Sequence, residues 1–129
     1  MAGLPAFLLY FVVGTALIVG FAAIYWKITA HDELALIRAG NPSAAIAFGG
    51  TLLGFSVPLE KAIEQAASIP DLVIWAVIAM AAQLAAYALV RWLVPDLSRR
   101  IEENHLPAAA FLAVVSFICG TLAAASMTE

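Results

Sequence analysis

Four long stretches of this chain carry no Asp, Glu, Lys or Arg: Leu4 to Trp26, Ala39 to Leu59, Leu72 to Val90 and Leu106 to Thr128. A helix needs about 20 apolar residues to cross the hydrocarbon of a bilayer, and all four runs are of that order. A membrane β-barrel would show short alternating strands instead, and these runs do not alternate. The chain therefore reads as an all-α polytopic membrane protein, residues 1–129 forming a single domain of four transmembrane helices. The spans are expected at about 4–26, 41–66, 70–94 and 106–127. Composition points the same way. The chain is 64% hydrophobic and 12% charged, with a mean hydropathy of +1.00, where soluble domains average about 45–50% apolar and about 25% charged.

Composition also removes function classes. Six basic against nine acidic residues give a net charge of −3 and no basic patch, which excludes a nucleic-acid partner. One cysteine, Cys119, excludes an internal disulfide framework and a multi-cysteine metal site. The first run is not read as a signal peptide. It is longer than the usual apolar core of about 7–15 residues, and no Lys or Arg precedes or interrupts it.

Charge placement sets the expected orientation. Lys27 and Arg38 lie in the first long loop, and Arg91, Arg99 and Arg100 in the third. The other side holds only Lys61. The positive-inside rule then puts both long loops in the cytoplasm and both termini outside. Five inner basic residues balance Asp32, Glu33, Asp96, Glu102 and Glu103. Lys61 with Glu60, Glu64, Asp71 and Glu129 leaves the whole −3 on the outer side. An acidic outer mouth could gather cations; the plainer reading is solvated loop charge.

The two halves, 1–67 and 68–129, resemble each other. Tyr25-Trp26-Lys27 leads into a polar loop, then Ile37-Arg38-Ala39-Gly40-Asn41 and a helix opening Pro42-Ser43-Ala44-Ala45. Arg91-Trp92 leads into a polar loop, then Ile101-Glu102-Glu103-Asn104-His105 and a helix opening Leu106-Pro107-Ala108-Ala109. Each half enters from the same side, so the expectation is a parallel repeat of two-helix units about an axis along the membrane normal. Within the loops, Thr29 with Asp32 reads as a capping pair opening a short helix over 30–39. Gly40 fits its C′ position. Asn41-Pro42 caps the second span, and Ser68-Ile69-Pro70-Asp71 opens the third. Pro95-Asp96 ends the third span and starts a second surface helix through Ile101.

The stretch His31-Asp32-Glu33-Leu34, then Ile37-Arg38-Ala39-Gly40-Asn41-Pro42, Ala44-Ala45-Ile46-Ala47-Phe48-Gly49-Gly50, Leu53-Gly54-Phe55 and Pro58-Leu59, resembles the YjfL-like family, also catalogued as domain of unknown function 350. Gln83-Leu84, Arg91, Pro95, Ile101 and the ending Ala125-Ser126-Met127-Thr128 are similar too. The resemblance covers nearly the whole chain. It implies a bacterial inner-membrane protein built from two tandem two-helix units, with no assigned catalytic role. It further implies a genomic neighbourhood of membrane-stress proteins and peptide-ligase-like enzymes. Family members often carry a cysteine where this chain has Ser126.

Candidate functional residues fall into three groups. Gly49, Gly50 and Gly54, with Gly120 and Ala124, are small residues that let helices approach closely. Gln83, near the middle of the third span, with Thr51 and Ser116, is either polar glue between helices or the lining of a pathway. His31, Asp32, Glu33, Arg38 and Asn41 would hold the cytoplasmic hairpin or dock a partner, with Asp32 or Glu33 pairing Arg38 or Arg99. A metal held by His31 and His105 is a weaker alternative, because no i, i+4 ligand pair exists. No charge lies at mid-depth, which argues against a proton-coupled pump. No nucleophile elbow, P-loop or dinucleotide fingerprint is present, so neither catalysis nor a cofactor is expected. Membrane lipid is one expected partner; copies of the chain or a larger membrane complex are the other. The functional expectation is a non-catalytic subunit in membrane maintenance, self-associating or accessory to an assembly. A small oligomeric channel or exporter is the alternative.

Overall fold

The computed structural model describes residues 3–29 and 33–127, without the side chain of Glu33. Its elements are all helices: α1 (Gly3–Ile28), α2 (Glu33–Arg38), α3 (Pro42–Gln65), α4 (Ile69–Leu93), α5 (Leu97–Glu102) and α6 (Leu106–Ser126). The four long ones are each long and apolar enough to cross a membrane.

The helix ends are set by capping residues, not by where charge begins. Asn41 accepts from Ala44 N and Pro42 occupies the first turn of α3. Ser68 accepts from Asp71 N, and Asp71 accepts in return from Ala67 N, a reciprocal cap at the head of α4. Consequently α3 runs on past the uncharged stretch to take in Glu60, Lys61 and Glu64, and α4 takes in Asp71 and Arg91.

The chain crosses back and forth, so α3 and α6 run in the same direction and α1 and α4 in the other. The pair α3–α6 forms the centre, and α4 packs against both. The helix α1 lies on the α3–α4 edge, where it buries only Gly14, Phe21 and Tyr25 along its whole length. Phe21 stacks on Phe55 with ring centroids 4.7 Å apart, and Tyr25 meets Tyr87 edge-on at 5.3 Å. The rest of α1 is turned outward, with Phe7, Phe11, Val12 and Val19 all exposed. In water such a surface would be prohibitive; against lipid tails it is the expected exterior. Tyr10 and Trp26 on α1, and Trp75 and Trp92 on α4, lie about 24 Å and about 26 Å apart at 1.5 Å per residue. Those spacings place aromatic rings near both edges of the hydrocarbon.

Buried apolar side chains form two groups. Tyr25, Ala44, Ala47, Tyr87, Val90, Leu97, Ile101, Ala109 and Leu112 fill the end where α2 and α5 lie. Phe21, Phe55, Leu59, Ala62, Leu72, Ala76, Ala79 and Met127 fill the opposite end. Thr51, Gln83 and Ser116, three of the fully buried polar residues, sit between them, while a fourth, Ser43, lies at the head of α3.

The two short helices are terminated in the same way. Gly40 adopts φ +87°; its N–H donates to Ile37 O and that of Asn41 to Leu36 O. Asn104 adopts φ +61°; its N–H donates to Ile101 O and that of His105 to Arg100 O. Both are Schellman turns with the left-handed residue at C′, the second using asparagine where the first uses glycine. One lies in each half of the chain, and each delivers it straight into a long helix.

Candidate functional site

Two places concentrate the polar chemistry. One is the crossing of α3 and α6 in the membrane interior. The other is the junction of the two turns that feed those helices.

At the crossing, the backbones meet through small residues. A Cβ on Gly50 would collide with the Cβ of Ala113 and lie 2.8 Å from its Cα. One on Gly54 would overlap Ser116 O and lie 2.7 Å from the Ser116 carbonyl carbon. One on Gly120 would overlap Gly54 O and lie 2.9 Å from the Gly54 carbonyl carbon. The reason for this fit is written four residues downstream. Pro58 lies inside α3 and has no N–H, so the Gly54 carbonyl loses its helical donor. In a membrane such a freed carbonyl must be satisfied by a neighbour. Gly120 supplies the contact, its Cα aimed at that oxygen in a Cα–H···O arrangement.

Gln83 joins α4 to this crossing. It is fully buried, and its Nε2 donates to Ser116 O at 3.1 Å. Thr51 Oγ1 donates to Ala47 O at 2.9 Å and lies 3.4 Å from Ser116 Oγ. Cys119 Sγ donates to Ala82 O at 3.4 Å, a further α6–α4 tie. The three residues expected as glue or as a pathway are thus brought to one layer. All three are buried among the chain's own helices. The hydroxyls of Thr15, Ser56 and Thr121 donate to carbonyls of their own helices.

Among the described residues of this chain, Gly49 packs against no other helix. It is exposed, and a Cβ there would meet nothing within 4 Å. It precedes Gly50 by one residue, and so points about 100° away round the helix, off the α6 contact. Ala124, one turn beyond Gly120, is partly buried.

At the turn junction, Asn41 performs two tasks. Its Oδ1 caps α3, while its Nδ2 donates to Ile101 O at 3.0 Å and Glu102 O at 3.3 Å, the last carbonyls of α5. Asn104 reciprocates from the other turn: its Oδ1 accepts from Ser43 Oγ at 2.7 Å and from Ser43 N at 3.3 Å. The start of α3 is therefore capped by two asparagines, one from each turn. Ser43 and Asn104 were not among the residues singled out from sequence. Their signal was the left-handed position after α5, which asparagine tolerates, one residue before the head of α6.

The expected charge lock of Asp32 or Glu33 with Arg38 or Arg99 falls on acidic side chains outside the described residues. Arg99 lies 3.7 Å from Asp96 and 3.9 Å from Glu103, both on its own segment and all well exposed. His31 and Asp32 lie outside the described residues, as does the side chain of Glu33, and with them the capping of α2 and any pairing with Arg38. The Thr29 hydroxyl donates back to Trp26 O at the end of α1. His105 is exposed at the head of α6 and makes no side-chain cap. No group of three or more His, Cys, Asp and Glu gathers among the described residues.

Fold and site together define a polytopic helical membrane protein whose spans are fastened by a glycine-lined polar seam. The family model described as Domain of Unknown Function (DUF350) matches residues 1–127, and the chain belongs to that family. It is 42% identical over 125 residues to the UPF0719 inner membrane protein YjfL of Escherichia coli strain K12, covering 97% of this chain and 95% of that one. It is 28% identical over 107 residues to the UPF0719 transmembrane protein YshE of Bacillus subtilis strain 168, covering 82% and 80%. No solved structure matches it. The family resemblance drawn from the sequence is thus shown. These names give a location, an inner membrane, and no activity.

Proposed function

We propose that the chain is a non-catalytic integral subunit of the bacterial inner membrane, packing with copies of itself or with a larger membrane assembly that serves membrane maintenance. Supporting this reading, Gln83 Nε2 and Cys119 Sγ tie α4 to α6 inside the membrane, and extramembrane structure among the described residues is limited to the two short helices α2 and α5. What remains for interaction is apolar surface on α1, α4 and α6 and the exposed faces of the two turns. On this reading both termini face the periplasm, the turns carrying Asn41 and Asn104 face the cytoplasm, and the halves descend from one two-helix unit. The matched turns, one in each half, support the last point. Neither a metal nor a cofactor is part of the proposal.

The observation that carries the proposal is the sealed α3–α6–α4 seam. A polar layer that holds helices together gives a rigid bundle, and it offers no substrate an entry. Crosslinking in intact cells through Lys27 and Lys61, before any detergent is added, tests it. Adducts of the chain with itself or with unlike membrane proteins are expected. A chain that stays monomeric across short and long crosslinkers overturns the proposal.

A further inference from the structure

Two polar atoms in the bundle interior are left without a hydrogen-bond partner on the same face of α4. They are Gln83 Oε1 and the Tyr87 hydroxyl, on residues 0% and 2% exposed. Buried polar atoms without a partner are rare in folded proteins, and each one calls for an explanation. The orientation of Gln83 is not a matter of choice: exchanging its amide oxygen and nitrogen would set an oxygen against the Ser116 carbonyl, where Nε2 now donates at 3.1 Å. Oε1 must therefore point elsewhere, towards Gly54. There a Cβ would lie 3.2 Å from it, so its neighbour is a Cα–H and not a strong donor. Tyr87 is one helical turn from Gln83. Side chains on a helix lean towards its N-terminus, which carries the Tyr87 ring over the turn that bears Gln83. One atom is an acceptor only, and the other is a hydroxyl able to donate.

We infer that Gln83 Oε1 and the Tyr87 hydroxyl share a bound water molecule, forming a hydrated node beside the α3–α6 crossing. Tyr87 donates to the water and the water donates to Gln83. Polar partners on both sides are what a buried water requires. The node continues the polar layer formed by Thr51, Gln83 and Ser116 towards the α2/α5 end of the bundle. It explains why glutamine and tyrosine are set one turn apart on the most enclosed face of α4, among alanines.

Water-edited solid-state NMR of the full chain in liposomes reads this directly. Magnetisation from water protons is expected to reach Gln83 Cδ and Tyr87 Cζ several-fold faster than the flanking buried Ala79 and Ala86. In Tyr87→Phe, which keeps the ring and its packing, the transfer to Gln83 is expected to fall to the level of those alanines while helical content is unchanged. Dry Gln83 and Tyr87 signals in the unaltered chain would overturn the inference. So would a Gln83 that stays equally wet in Tyr87→Phe, since its water would then come by another route.

Discussion

Gly120 touches the oxygen that Pro58 leaves without a donor, and Gly49, also a glycine in a membrane helix, touches nothing. The two predict opposite outcomes for the same substitution. Gly120→Ala forces a methyl into the Gly54 carbonyl and should cost at least about 1–3 kcal/mol, the usual penalty of overpacking. Gly49→Ala should change the stability of the isolated chain by less than about 0.5 kcal/mol. Reversible unfolding in mixed micelles by a denaturing detergent would measure both, and equal effects would refute the contact geometry. Gln83→Leu tests the polar tie at the same crossing. Interhelical hydrogen bonds in membranes average about 0.6 kcal/mol, so a small loss is expected, with the fold retained.

Among the elements, the paired turns make the sharper claim. Asn104 contributes both a left-handed backbone and an acceptor for Ser43. Asn104→Gly keeps the first and loses the second; Asn104→Ala loses both. The expected order of stability is the unaltered chain, then Gly, then Ala, measured in the same unfolding assay. Asn41→Ala removes the α3 cap together with the bonds to α5 and should cost about 1–2 kcal/mol. The elements themselves were open to reading from sequence, because uncharged runs of membrane length and the residues Asn41, Gly40, Ser68 and Pro95 act locally. The glycines were only half open. Gly49, Gly50 and Gly54 look alike in a string of letters. Which of them meets α6 depends on the rotation of α3, and that is fixed by Thr51, Pro58 and a partner in the other half of the chain, Ser116. The bond from Asn104 to Ser43 was hidden for the same reason: it joins two turns that only the assembled bundle brings together. The charges of the loops suggested ion pairs between turns. Among the described residues, Arg99 lies near Asp96 and Glu103 of its own short segment; Asp32 and the Glu33 side chain, the acids expected to bridge the turns, are outside them.

On the scale of the whole molecule, the proposed orientation is open to direct labelling. With Cys119 replaced by alanine, a single cysteine at position 61 should react with a membrane-impermeant maleimide added to spheroplasts. One at position 99 should react only after the membrane is opened. The reverse pattern would invert the topology. An apolar exterior around a closed polar seam suits a chain that works by packing beside others. Native mass spectrometry of the protein, gently extracted from its own membrane, tests that claim most directly. A closed homo-oligomer or a defined complex with unlike chains is expected, and a population of single chains carrying only lipid would overturn the proposed role.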